Sequence, residues 1–404
     1  MSKQSITSAG PLKGLRVLDL GTMIAGPMAG TLLADFGADV IKIELPGDGD
    51  ALRHIGPFFE GESLHWNADA RNKKSVTIDM RSPRGQALVR ELARQADVVL
   101  ENFRPGTMAR WGLDYEALRA VNPRLIMLSI SGFGQTGPYA PRAAYDRIAQ
   151  AFGGLLYITG FPDRPPAKIG VSMADYQAAL FGAFAVMMAA YHRDARGGTG
   201  QHIDLALYEV VLRFTDSLAP AYDKLGAVRE RQGNVGRAGA PGDHFETADG
   251  RYLVLTISNT PMFARLCQAM GRAELAEDPR YATHDLRWQH VQELNAIVAA
   301  WVRGRPRAEI TAALDAAALA YSIVYSIADI FEDPHIQARG NLETIPHPRL
   351  GDIKVPGVGP KLSATPAGPL RAAPTLGEHT DEVLRSWAGL SGPDIEELRR
   401  AQVI

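Results

Sequence analysis

An α/β fold on a parallel sheet is what this sequence predicts, on three observations. Short apolar runs alternate with helical segments through the first third of the chain. Glycine or proline punctuates the junctions, as at Gly21, Pro27 and Gly37. Ser82-Pro83 opens one intervening segment with a cap residue followed by proline at the first helical position.

In chain order, "RVLDLG" (16–21) reads as a buried strand and "PMAGTLLADFG" (27–37) as a helix stopped by Gly37. "ADVIKIE" (38–44) and "KSVTIDM" (74–80) are the next strands, separated by a loop rich in Gly, Pro and Asp. Residues 82–96 form a helix, and "DVVLENF" (97–103) and "RLIMLSISGFG" (124–134) continue the alternation. A long apolar helix is expected over 172–192, then a turn and strand in "GGTGQHIDLALYE" and a helix to about Leu225. "QGNVGRAGAPG" (232–242) is a glycine-rich loop. "HFETADGRYLVLTI" is a hairpin turning on Asp249-Gly250, and three helical segments follow to about Ala320. "PHPRLGDIKVPGVGPKLS" reads as short-stranded and extended, and the chain closes with two helices, the second opened by Ser391 to Asp394. The domain organisation expected is a large Rossmann-like domain over 1–227, a small α+β domain over 228–325, and a return to the large domain over 326–404.

Composition narrows the function. A net charge of −2 over 404 residues offers no electrostatic footprint for nucleic acid or a membrane surface. One cysteine, Cys267, excludes internal disulfides and four-cysteine zinc sites, and the ten histidines show no metal-ligand spacing, so no metal is expected. "MSKQSITSAGPLKG" lacks an apolar signal region, so a cytoplasmic protein is expected. Residues 171–191 approach membrane-spanning length, but Ser172, Asp175, Tyr176 and Gln177 cluster at one end, and the small residues suit close packing in a soluble core. The first strand–helix turn, Gly21 to Gly30, is not G-x-G-x-x-G, and neither a Walker A pattern nor a G-x-S-x-G elbow occurs.

Asp175 is the sharpest candidate for chemistry. A carboxylate at the head of an apolar helix is either a residue stabilised by the helix dipole or an under-solvated nucleophile held ionised by the helix amides. A basic series, Lys42, Arg53, Arg71, Lys73, Lys74, Arg81, Arg104 and Arg110, falls at or near predicted strand ends, where it would suit a phosphorylated ligand. "ENFRPGTMARWG" sets Asn102, Phe103, Arg104 and Arg110 around a Pro-Gly turn, and Tyr145 and Asp146 open a predicted helix.

The stretches "TMIAGPMAGTLLADFGADVIKIE", "RNKKSVTIDM", "ENFRPGTMARWGLDYEAL", "AYDRIAQAFGG", "GVSMADYQAALFG", "GGTGQHIDLALYE" and "LGEHTDEVL" resemble the family III CoA-transferases, from about Leu12 to the C-terminus. That family holds formyl-CoA, carnitine-CoA and succinyl-CoA-dependent transferases and the α-methylacyl-CoA racemases. The resemblance implies an interlocked homodimer, a large domain whose sheet is built from both chain ends, and a CoA thioester as substrate with no permanent cofactor. It places the nucleophile at Asp175 and CoA contacts at Ile24, Ala25, Arg81, Asn102, Phe103, Arg104, Arg110, Tyr145 and Asp146. Leu45 stands where some members carry an adenine-stacking arginine, and the glycine tetrad of formyl-CoA transferase is replaced by "GNVGRAGAPGDHF". Arg237 and Gly239 in that loop are the candidates for binding the acid. The activity implied is CoA transfer from an acyl-CoA, with succinyl-CoA the expected donor, to a small di- or hydroxycarboxylic acid. The alternatives are a racemase, which would need a base where this chain has Tyr145, and a non-catalytic CoA-binding protein.

Overall fold

The computed structural model describes residues 10–404, so the first nine residues of the expected large domain lie outside the described residues. The chain divides into two compact units. The first comprises the chain up to Leu155, Ile169–Leu225 and Ala338–Ile404; the second comprises Leu156–Lys168 and Gly226–Gln337. Against the expected bounds of 228–325, the second unit also takes in 156–168 and runs on to Gln337.

The first unit is a three-layer α/β structure. Its strands are β1 (Arg16–Asp19), β2 (Asp39–Glu44), β3 (Lys74–Thr77), β4 (Val98–Glu101), β5 (Ile126–Ser131) and β6 (His202–Ala206). They form one six-stranded parallel sheet in the order β3-β2-β1-β4-β5-β6. This is the doubly wound order, in which the chain reverses direction across the sheet between β1 and β4 and opens a crevice at their carboxyl ends. Strand register sorts the side chains into two cores. Val17 and Val98 pair and face one side; Leu18 and Val99 pair and face the other. Each such fully buried side chain contributes about 1.5–3 kcal/mol.

On the first face lie α1 (Ala25–Asp35), α4 (Asp146–Phe152), α5 (Met173–Ala195) and α6 (Leu207–Arg213). On the second lie α2 (Pro83–Ala93), α3 (Tyr115–Val121), α7 (Thr380–Ala388) and α8 (Gly392–Arg400). Ser82 caps α2 by accepting from Gly85 N, and Ser391 and Asp394 form a capping box on α8. The C-terminal end therefore returns to the large unit, but the expectation that it helps build the sheet is corrected. All six strands of this sheet come from residues 16–206, and the C-terminal segment adds helices and a separate antiparallel hairpin, Leu342–His347 with Gly351–Pro356. Its apolar residues Val383, Leu384 and Trp387 recur at helical spacing and bury against the sheet face, a pattern a strand could not use.

The small residues of α5 have a geometric cause. A Cβ at Gly182 would lie 2.6 Å from Leu128 Cδ2, so the helix approaches β5 closely enough to exclude any side chain there. Ala174, Ala178, Ala183 and Val186 continue the buried stripe. The opposite face carries Leu180, Phe184, Met188 and Tyr191, all more than half exposed. By length and composition this helix could cross a membrane.

The second unit holds a three-stranded antiparallel sheet, β7 (Gly242–Glu246), β8 (Tyr252–Thr256) and β9 (Tyr321–Ile323), with β8 central. Gly250 sits at φ +71° in the β7–β8 turn, as the Asp-Gly signal requires. Between β8 and β9 the three expected helical segments are five: Thr260–Ala269, Glu274–Glu277, His284–Gln289, Val291–Arg303 and Arg307–Ala316. Asp278-Pro279, the Thr283 cap and Pro306 break the run into shorter pieces.

Candidate active site

The two ends of β1, β2 and β3 carry charges that the fold has to neutralise. Asp19, at the end of β1, meets Lys73 Nζ at 2.8 Å, and both side chains are fully buried. Lys42, on β2, meets Asp50 at 3.1 Å and also donates to the Gly21 carbonyl. Burial opposes the Lys42 charge, but Asp50, Asp19 and Glu44 outweigh it and hold its pKa above the ordinary value. Glu44 receives a bidentate pair from Arg53 at 2.7 and 2.8 Å, and Asp35 receives one from Arg71 at 3.0 and 2.6 Å. Lys74 lies between Asp39 and Glu382. Five of the eight basic residues expected at the strand ends thus pair with acids within the unit, and a sixth, Arg81, pairs with Asp79 from solvent. The five brace the turns instead of presenting charge to a ligand.

The turn after β1 is held from both sides. Thr22 N donates to Asn102 Oδ1 at 2.7 Å, and Asn102 Nδ2 donates back to Thr22 O at 2.8 Å. Met23, at φ +64°, donates its N–H to Asp50. A Cβ at Gly21 would lie 3.0 Å from Asn102 Oδ1, so the two loops touch only because Gly21 has no side chain. Ile24 and Ala25 follow with buried side chains, which leaves their backbone as the part that can meet a ligand. Asn102, expected as a contact, has its amide committed to this turn.

Two cavities open along the same edge. One of about 280 Å³ is lined by Leu45, Ala51, Ile78, Arg81, Phe103 and Trp111 among others. Phe103 and Trp111 meet edge to face with centroids 5.2 Å apart. Leu45 contributes to the apolar wall of this cavity. Arg81 leans on Asp79 at 2.8 Å and remains largely in solvent. The second cavity, about 210 Å³, shares Thr22 and Phe103 with the first and adds Arg104, Ser131, Arg142 and Tyr145. The Arg104 guanidinium has no partner among the described residues. Arg110 is exposed and, among the described residues, its guanidinium reaches only Thr107 Oγ1. Arg142, which sequence reasoning missed, lies over the Tyr139 ring at 3.8 Å. Its signal was a lone arginine in a polar loop, indistinguishable from a solvated charge.

Next to Tyr145, Asp146 caps the head of α5. Its Oδ1 accepts from Ala174 N at 2.7 Å and its Oδ2 from Gln150 Nε2 at 2.7 Å. Here the structure corrects the expectation that the helix amides hold Asp175 ionised, because Asp146 takes the Ala174 amide. Asp175 has no hydrogen-bond or ion-pair partner among the described residues. Burial, and then the Asp146 carboxylate, push its carboxyl up to about 7. Such a group is poorly solvated, close to half ionised at neutral pH and unoccupied by any other interaction. These are the properties of a carboxylate available to attack an electrophilic carbonyl. The neighbouring Tyr176 OH donates to Asp69 Oδ2 at 2.7 Å, with His65 Nε2 at 3.3 Å from both. Neither His65 nor Asp69 stood out in the sequence, because a histidine and an aspartate four residues apart occur on many helices.

Arg237 and Gly239 belong to the second unit. Arg237 is 73% exposed and stands 3.9 Å from Asp285. Gly239 lines a cavity of about 140 Å³ with Asn234, Gly236 and Thr256. Among the described residues no cluster of His, Cys, Asp and Glu is grouped to hold a metal ion.

The chain is similar to known proteins over nearly its whole length. It is 46% identical to the succinyl-CoA–D-citramalate CoA-transferase of Chloroflexus aurantiacus, covering 98% of each chain. It is 41% identical to the succinate–glutarate CoA-transferase of Agrobacterium fabrum, covering 93% of this chain and 95% of that one. The crystal structure of a CAIB/BAIF family protein from Brucella suis superposes with a TM-score of 0.84 at 37% identity, covering 94% of this chain and 99% of that one. Residues 12–380 match the model of CoA-transferase family III, and with the doubly wound sheet and the unpaired Asp175 in place, that is the family to which this chain belongs.

Proposed function

We propose that this CoA-transferase moves CoA from succinyl-CoA to a small di- or hydroxycarboxylic acid, with Asp175 as the nucleophile. The observation that carries the reading is the half-buried, partnerless Asp175 carboxyl at the head of α5. The relatives named above act on citramalate and glutarate, which supports a dicarboxylic substrate.

In the first step the Asp175 carboxylate attacks the acyl carbonyl and the C–S bond breaks, giving a mixed anhydride and CoA thiolate. The thiolate attacks the aspartyl carbonyl, which releases the donor acid and leaves an aspartyl-CoA thioester. The acceptor carboxylate attacks that thioester, the C–S bond breaks, and CoA thiolate leaves as the acceptor's own anhydride with Asp175 forms. The thiolate then takes the acceptor acyl group and restores the Asp175 carboxylate. Because a carboxylate is a weak nucleophile, position and oxyanion stabilisation have to supply the rate. On this reading CoA lies along the two strand-end cavities. The backbone at Ile24 and Ala25, the Phe103 ring, the Leu45 wall and the Arg81, Arg104 and Arg110 guanidiniums meet it, and Tyr145 lines the end nearest α5. Asn102 and Asp146 act one step back, by holding the 21–22 turn and the head of α5. Arg237 and the Gly239 loop are the second unit's candidates for meeting the acid.

A cytoplasmic homodimer belongs to the same reading. The stripe of Leu180, Phe184, Met188 and Tyr191 is the kind of contiguous apolar face that a second copy covers. Placing aspartate at both Leu180 and Phe184 should then give a monomer by sedimentation.

The decisive experiment supplies succinyl-CoA with a panel of acids and weighs the CoA thioesters formed. A new thioester from a di- or hydroxycarboxylic acid, with equimolar succinate released, supports the proposal. Exchange of the α-proton of a 2-methylacyl-CoA with deuterated water, without CoA transfer, would replace it with racemisation.

A further inference from the structure

His65 is the second residue of a short helix, Leu64–Asp69, capped by Ser63, and its i+4 partner on the same face is Asp69. Its Nε2 stands 3.3 Å from Asp69 Oδ2 and 3.3 Å from the Tyr176 hydroxyl, which itself donates to Asp69 Oδ2. Asp69 is tied into the fold through its carbonyl, which accepts from Thr31 Oγ1. One edge of the imidazole is therefore fixed between an acid and a phenol. Its Nδ1 has no partner among the described residues, and the side chain is 26% exposed.

A partly exposed His–Asp pair adds at most about 1 kcal/mol to stability, so stability alone is a weak reason for this arrangement. It also acts on the charge of the ring. The Asp69 hydrogen bond outweighs burial and raises the His65 pKa, so the ring stays cationic above its ordinary range. Asp69 is the charged group that acts on it, and Tyr176 is the other titratable group facing it. Burial, then Asp69 and Asp175, keep the Tyr176 phenol protonated as a donor. The result is an oriented cation with a free N–H, held against Tyr176, the residue that follows Asp175 in the chain.

We propose that His65, clamped by Asp69 and by Tyr176, the chain neighbour of Asp175, binds the second carboxylate of the acid undergoing transfer. This rests on the transferase reading and names the residue that selects dicarboxylates over monocarboxylates. Arg237, the sequence-based candidate for that carboxylate, is largely solvated and already faces Asp285, so a ligand would gain less from its charge. A desolvated carboxylate loses much more when its cation is removed.

The test compares succinyl-CoA with butyryl-CoA, which has a methyl group where succinyl-CoA has its second carboxylate. His65→Gln should raise KM for succinyl-CoA by about 30-fold and for butyryl-CoA by less than about 3-fold, with kcat changed little. Arg237→Ala should affect the two donors more evenly. In the native enzyme KM for succinyl-CoA should climb as pH rises through the imidazole titration, and Asp69→Asn should move that climb to lower pH. Calorimetric binding of both thioesters to Asp175→Ala protein, with and without His65→Gln, gives the same comparison without turnover. A His65-dependent preference there, with no CoA exchange in the native enzyme, would sink the transferase reading and leave this inference standing. Equal effects of His65→Gln on the two thioesters, a preference lost only with Arg237→Ala, or a succinyl-CoA KM flat from pH 6 to 8.5 would overturn it.

Discussion

Two regions of the large unit handle carboxylates withdrawn from water in opposite ways. At the strand ends Asp19 has Lys73, Asp50 has Lys42 and Glu44 has Arg53. At the head of α5 Asp175 has no cation and lies near a second acid, Asp146. A buried pair gives little net stability but fixes geometry, since losing either partner strands a charge. An unpaired carboxyl has the reverse character: it costs stability and keeps its lone pairs free. The difference teaches where this protein needs rigidity and where it needs reactivity.

The comparison breaks most sharply at Asp175 itself. Asp175→Ala and Asp175→Asn should each reduce CoA exchange by at least about a thousandfold, because covalent catalysis is lost. The circular dichroism spectrum should stay native, since no hydrogen bond of the fold runs through this side chain. Substantial residual turnover in either variant would move the chemistry elsewhere.

At the paired region the loss should appear in stability. Lys73→Met leaves Asp19 buried without its cation and should lower the unfolding free energy by about 3–5 kcal/mol. Urea denaturation checks this, and a change below about 1 kcal/mol would mean that the pair is not buried as described.

Asp175→Asn should show a smaller effect of opposite sign. The Asp175 pKa is raised on folding, from 3.8 to about 7. The unfolded chain therefore ionises first, and native stability falls as pH rises between those values. Linkage between those values caps the effect at about 4 kcal/mol, and solvent screening of a half-buried carboxyl reduces it. The variant should therefore gain about 2 kcal/mol over the native protein above pH 7 and nothing near pH 3. A gap independent of pH would contradict the raised pKa.

The finest adjustment is at Asp146. CoA exchange should lose activity on the acid side with a midpoint near pH 7, where Asp175 protonates. Asp146→Asn keeps an oxygen for Ala174 N but removes the repelling charge, and should move that midpoint down by about one pH unit. A pH–rate profile identical to the native one would show that Asp146 serves only as a cap.

Much of the architecture could be read from local pattern. Periodicity and punctuation located all six strands of the large sheet, and the Ser82-Pro83 and Ser391–Asp394 signals marked helices that the structure contains. These features depend on residues within one turn or one strand of each other, so the chain encodes them locally. The basic series was harder to interpret. Lys42, Lys73 and Arg71 looked ligand-facing because strand ends usually are, and the acids that take them lie 8, 54 and 36 residues away.

By itself the sequence determined the fold class, the order of elements and the conspicuous position of Asp175, because each follows from spacing along the chain. Tertiary structure alone decided which charges are paired and which residue caps α5. Only the fold could bring Asp146 to the amide of Ala174, 28 residues on, or set His65 and Asp69 against Tyr176, more than a hundred residues on. A carboxyl's chemistry is fixed by the charges and water within a few ångströms of it, and those neighbours are chosen by packing, not by position in the chain.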